Sequence, residues 1–214
     1  MSYRTHALVA FAVSSALALT ARPAAANIVY DFSSVPGVTT TTPYTSTPYT
    51  LDGATFSSPS DPGAFTFGAN GGYSTLGAYT LSSSGVPATL DISFSNAQNG
   101  IAFDAATGDF FAGNGSDAVT LTEFNGATQV GTQTLSAVIP TGSGDYFPQV
   151  AFNLVNQPNF TSVAISAADG QGPEALTIAD LETAPVPLPG ALLLFASGLG
   201  GIGVFRRRRA NLTA

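Results

Sequence analysis

Ala88-Thr89-Leu90-Asp91-Ile92-Ser93-Phe94-Ser95 alternates apolar and polar residues at every step. A period of two places Ala88, Leu90, Ile92 and Phe94 on one face of an extended chain and the four polar residues on the other. The alternation recurs along the chain. Val119 and Leu121 alternate with Thr120 and Thr122, while Val150, Phe152 and Leu154 flank Ala151 and Asn153. Val163 and Ile165 flank Ala164, and Leu176 and Ile178 continue the pattern toward Asp180 and Leu181. Gly, Ser, Thr, Asn and Pro separate these runs, and no segment between Asn27 and Pro185 shows a helical stripe. Short strands at a spacing of about 8–12 residues predict an all-β fold, an antiparallel β-sandwich. Strands are expected near 27–33, 51–57, 64–68, 73–81, 88–95, 100–105, 117–124, 127–136, 148–155, 160–166 and 175–182, with some merging. That number suits a jelly roll.

Charge is distributed unusually. The six basic residues are Arg4, Arg22 and Arg206 to Arg209, and the single His is His6. All thirteen acidic residues fall between Asp31 and Glu182. The segment 27–185 is therefore a polyanion without Lys, Arg or His, and no salt bridge can form inside it. Nucleic acid and anionic membrane surfaces need basic side chains, so neither is an expected partner of this body. The chain has no Cys, which removes thiol nucleophiles, disulfides and soft-metal sites. Without His, the Ser-His-Asp arrangement and the usual zinc ligands are also excluded.

The two ends read as addresses. Met1 to Ala26 has a basic start at Arg4 and His6, an apolar run from Ala7 to Leu19, and small residues Ala24 and Ala26 at a cleavage site. This is a secretory signal peptide over 1–26, which leaves 27–185 as the ectodomain. At the other end, Val186-Pro187-Leu188-Pro189-Gly190 leads into an uncharged segment, 190–205, stopped by Arg206-Arg207-Arg208-Arg209. Sixteen helical residues would reach about 24 Å, and snorkelling arginines close the gap to a hydrocarbon core of about 30 Å. The expectation is a single C-terminal transmembrane helix with its arginines inside and the body outside. Pro187 and Pro189 favour an extended segment just above the membrane, the form in which a protease accepts a peptide.

At these residues, 186–209, the tail resembles the PEP-CTERM class of sorting signals, in its VPLPA-CTERM variant. The resemblance implies a bacterial surface or exopolysaccharide-associated protein and a membrane-embedded partner, exosortase, which cleaves at the motif. Leu188 agrees with the variant, whereas Gly190 stands where the variant has Ala. The implied route is an inner-membrane-anchored precursor, then the cell surface or extracellular matrix of a Gram-negative bacterium. The body is similar in pattern to jelly-roll ectodomains found ahead of such tails, which implies that Ile28 to Phe32 and Leu176 to Leu181 lie together.

Candidate chemistry is sparse. Asp104, Asp109, Asn114 and Asp117 bracket a loop containing Gly108, Gly113 and Gly115, and clustered oxygen ligands suit calcium. In a jelly roll the meeting of first and last strands would add Asp31 and Asp180. The spacing is not that of an EF-hand, and solvated turn aspartates are the preferred reading. Glycoside hydrolysis needs only two carboxylates, for which Glu123 and Glu174 are the nominees. Glu123 falls on a strand face among threonines, and nothing sets a pair at a working separation. Tyr44, Tyr49, Tyr73, Tyr79 and Tyr146 lie in or beside loop-like segments and could stack on sugars; rim packing is the competing reading. Thr39 to Thr50 is an exposed Thr/Pro/Tyr segment, either O-glycosylated or a plain extended loop. The expected protein is a non-enzymatic surface protein that needs no cofactor. The alternatives are an exopolysaccharide-binding module and a calcium-dependent adhesin.

Overall fold

The alternating stretch continues much further than its sequence suggests. In the computed structural model Leu90–Thr107 is a single strand of 18 residues, so the two strands expected at 88–95 and 100–105 are one. The structure describes residues 26–39, 46–59, 61–70, 75–83, 89–108, 117–140, 147–168 and 173–186. Twelve strands occur among them: β1 (Ile28–Val29), β2 (Tyr49–Leu51), β3 (Ala54–Ser57), β4 (Phe65–Ala69), β5 (Tyr79–Ser83), β6 (Leu90–Thr107), β7 (Ala118–Asn125), β8 (Thr128–Ser136), β9 (Gln149–Leu154), β10 (Phe160–Ala168), β11 (Pro173–Glu174) and β12 (Leu176–Pro185). Ala26–Val186 is a compact unit with its own core. Residues 1–25 of the expected signal peptide and the tail from Pro187 onward, including the segment 190–205 and Arg206 to Arg209, lie outside the described residues. No helix among the described residues is long and apolar enough to cross a membrane.

β6 organises the fold because its two halves have different neighbours. Leu90 to Ser93 pair with β10 and Asp91 to Phe94 with β3, whereas Ile101 to Ala106 lie between β12 and β9. The buried phase changes along the strand, from Leu90, Ile92 and Phe94 to Ile101, Phe103 and Ala105. An odd number of residues must be gained or lost for the inward face to remain inward, since a period of two allows nothing else. The shift coincides with a register break against β10, where Ser162 faces Ser93 but Phe160 faces Gln98. Strands bend at such irregularities and pass from one sheet to another. Inside this bend the Gln98 side-chain amide donates to the Asn96 carbonyl at 2.9 Å.

Two antiparallel faces result. The first runs β2-β3-β6-β10-β7-β8 and the second β4-β5-β12-β6-β9, with β1 on β12 and β11 on β10. First and last strands meet as expected: Ile28 faces Thr183, and the Tyr30 N–H donates to the Leu181 carbonyl at 2.9 Å. The segment expected as one strand at 51–57 is instead a hairpin. Asp52 (φ 46°) and Gly53 (φ 82°) form its turn, the left-handed pair that an Asp-Gly dipeptide favours.

The faces are joined by aromatic rings. Phe56 of β3 meets Phe67 of β4 edge-on at 5.5 Å, and Phe32 touches both, at 5.8 and 5.4 Å. Phe32 is held there by a short 3-10 turn, Phe32–Ser34, whose cap Asp31 accepts the Ser33 N–H at 2.9 Å. In the second face Phe103 and Phe152 are cross-strand partners stacked at 4.7 Å. Offset and edge-on rings add about 0.5–1.5 kcal/mol per pair beyond the area they bury.

Replacing Ile92 by Asp should prevent folding, because the new charge would lie in the core without a partner. Phe152→Ala should cost about 3–5 kcal/mol, the usual range for a buried ring. Thermal denaturation followed by far-UV circular dichroism reads both. An unchanged Tm in either variant would show that the inward faces are misassigned.

Candidate functional site

β7 carries a carboxylate into the core. Val119, Leu121 and Glu123 share one phase of the strand, and all three are buried, with Glu123 2% exposed. The sequence reading put Glu123 among the threonines; the structure puts it opposite them, with Thr120 and Thr122 on the other face. Its cross-strand partners are Val163 on β10 and Gly131 on β8. A Cβ at Gly131 would collide with Glu123 Oε2, so a larger residue there would push the carboxylate out of this position. Oε1 is buried without a hydrogen-bond partner. A cavity of about 170 Å³ adjoins it, lined by Leu121, Thr132, Gln133, Leu154 and Gln157. Burial raises the Glu123 carboxyl above its ordinary pKa.

Glu123 is the one acid among the described residues lining this cavity. Glycoside hydrolysis needs a second carboxylate about 5–9.5 Å away, and the described lining supplies none. The side chain of Glu174, the other nominee, lies outside the described residues.

The calcium candidates separate into three places. Asp104 sits on the outer side of β6 between Ala151 and Ala179, and its pKa is raised by burial and then by the charge of Asp180. Asp180 adopts a left-handed φ of 51° where the pairing of β12 with β6 slips between Ala179 and Glu182. The bare Cα of Gly77 gives the Asp180 carboxylate its room. Beside Gly77, Leu76 packs on Ala106 and Ala179, and the Thr75 hydroxyl and N–H both donate to the Gln149 side-chain oxygen. The second place is Asp31, close to β12 along the backbone but with its carboxylate engaged by Ser33. The third is Asp117, which is buried and accepts the Thr107 hydroxyl at 2.9 Å. Asp109 and Asn114 lie outside the described residues. No group of three acids that could hold a metal ion occurs among the described residues.

Of the tyrosines, Tyr49 packs edge-on against Phe67 at 5.4 Å, and Tyr79 packs against the core. Both serve the core rather than forming a platform; Tyr44, Tyr73 and Tyr146 lie outside the described residues. The broad polar surface is instead the outer side of the first face. Register aligns Ser57, Asp91, Ala164, Thr122 and Thr132 in one row across five strands. Hydroxyls pair across strands, Thr120 with Thr134 at 2.9 Å, Thr122 with Thr132 at 3.4 Å, and Thr50 with Thr55 at 2.9 Å. Asp91 is the one carboxylate in that row, and burial raises its pKa. The alternating threonines of β7 and β8 signalled this surface in the sequence; their alignment with β3 and β10 needed the register.

No family model and no curated protein matches the chain. Among solved structures, a DUF4465 family protein from Bacteroides caccae matches at a TM-score of 0.52 with 10% identity, over 75% of this chain and 100% of the other. A family 29 carbohydrate binding module complexed with cellulohexaose matches at a TM-score of 0.40 with 12% identity, over 76% of this chain and 92% of the other. The same module complexed with mannohexaose matches at 0.39 with 11% identity, over 75% and 92%. At these identities the DUF4465 likeness concerns the fold alone.

Proposed function

We propose that this chain is an exported surface protein whose β-sandwich, of jelly-roll type, binds a neutral polysaccharide without acting on it. The observation that supports this most directly is the outer side of the first face, a hydroxyl-rich and nearly uncharged sheet. Strands about 4.8 Å apart repeat these hydroxyls at a spacing comparable to one pyranose ring. Such a surface can exchange its water for sugar hydroxyls with little desolvation of charge. The body's lack of Lys and Arg argues against acidic polymers, which its thirteen carboxylates would repel. Hydrogen bonds of this kind are individually weak, so binding relies on several rows engaging one chain.

The proposed route to the surface is the PEP-CTERM-like tail. The Val186 N–H donates to the Ala97 carbonyl at 3.0 Å, so the first motif residue is hydrogen-bonded to the sandwich, and the rest of the motif lies outside the described residues.

Replacing Thr122 and Thr134 together by Val keeps the β-branched shape and removes two hydroxyls. At about 0.5–1.5 kcal/mol per lost bond, polysaccharide binding should weaken about tenfold with little change in Tm. Affinity electrophoresis through gels containing neutral polysaccharides measures this. Mobility unaffected by every neutral polymer, or a double variant that binds like wild type, would overturn the reading. The tail is tested separately by intact mass. Pro187→Ala with Pro189→Ala should leave an uncut precursor in the membrane, and a wild-type chain recovered from its native surface still ending at Ala214 would refute cleavage.

A further inference from the structure

A body without Lys, Arg or His has no internal cation for a buried carboxylate. An ionised, unpaired carboxylate in the interior costs several kcal/mol, so Glu123 needs a proton, water in the adjoining cavity or an external cation. Three features of its surroundings favour the cation. Glu123 Oε1 is buried and unpartnered beside the cavity, and a glycine opposite holds the space that its other oxygen fills. The lining supplies neutral oxygen donors. Gln157 already donates its amide N–H to the Val155 carbonyl at 3.3 Å, which leaves its side-chain oxygen as a ligand, and Gln133 supplies a second. The volume, about 170 Å³, corresponds to about six waters at roughly 30 Å³ each, enough for an ion with part of its hydration shell.

We propose that the Glu123 cavity is a divalent-cation site of the calcium type, with Glu123 as its charged ligand and Gln133, Gln157 and water completing the shell. An all-oxygen donor set selects hard cations. Calcium accepts six to eight oxygens in irregular geometry, whereas magnesium demands a near-ideal octahedron and gives up its water reluctantly. A single carboxylate makes the site weak, on the order of 0.1–1 mM, the range of extracellular calcium modules. Among the described residues no other titratable group faces Glu123: β8 presents Gly131 and Gln133, β10 presents Val163, and the segment after β9 presents Gln157. Thr132 borders both the cavity and the hydroxyl row, but Glu123 itself lies on the opposite side of the sheet from that row. The site also differs from the aspartates that the sequence nominated.

The test is calorimetry and thermal denaturation of the full chain in detergent, stripped with chelator and then titrated with calcium chloride. Magnesium chloride at equal ionic strength controls for screening of the polyanion. Millimolar calcium should raise Tm by several degrees more than magnesium, and Glu123→Gln should abolish the difference. Gln157 is only half-buried, so Gln157→Ala should fold normally and weaken calcium binding several-fold. Should Glu123→Gln fail to fold, Gln157→Ala decides, because it leaves the carboxylate in place and removes one neutral ligand. Equal shifts from both ions, full calcium response in Glu123→Gln, or normal affinity in Gln157→Ala would each overturn the site and leave Glu123 protonated or hydrated.

Discussion

The body has thirteen carboxylates and no cationic side chain, and much of its local architecture follows from that imbalance. A carboxylate that cannot pair with Lys or Arg must find neutral donors, a proton, an ion or open water. Asp31 takes the N–H of Ser33, and in doing so forms the turn that sets Phe32 between the two faces. Asp117 takes the Thr107 hydroxyl, which ties the end of β6 to the start of β7. Asp180 obtains room from Gly77 and Glu123 from Gly131. Neutral donors and missing Cβ atoms do here what salt bridges do in other proteins.

The same imbalance shapes the surface. With no basic residues available, the first sheet shows solvent an array of Ser and Thr hydroxyls that satisfy one another across strands. Opposite charges directly across a sheet stabilise it modestly, and hydroxyl pairs contribute on a similar scale. A surface built this way is rich in hydroxyls and nearly uncharged, as the proposed binding of a neutral polymer requires.

Much of the fold is legible from side-chain period, and the exceptions have identifiable causes. The alternation at Leu90, Ile92 and Phe94 gave the correct inward face because one side of the strand is buried. Its continuation through Asn96-Ala97-Gln98-Asn99-Gly100 was hidden, since polar residues in a bent strand resemble a turn until their partners are known. The Asp52-Gly53 turn was present as a dipeptide but was masked by apolar residues on both sides. Glu123 could have been placed by phase alone, two residues after Leu121. Its cavity could not, because Leu154 and Gln157 reach it from a distant part of the chain. Likewise, the approach of Asp104 to Asp180 depends on a slip in pairing that local sequence does not encode.

Stability as a function of pH, measured in chelator to exclude divalent ions, tests the missing counter-charge most directly. Asp91, Asp104 and Glu123 are all raised above their ordinary pKa, so the folded state holds protons that the unfolded state has released. Their penalty is complete at neutral pH and is relieved as pH falls through the raised values toward about 4, the ordinary carboxylate range. Tm should therefore rise on acidification from pH 7 to about 4.5, the reverse of a protein held by salt bridges. Asp180→Asn tolerates the left-handed backbone and removes one of the paired charges, so it should raise Tm at neutral pH and flatten the profile. A Tm that falls steadily between pH 7 and about 4.5 would contradict the claim, because carboxylates stabilised by partners would then outweigh the unpaired ones.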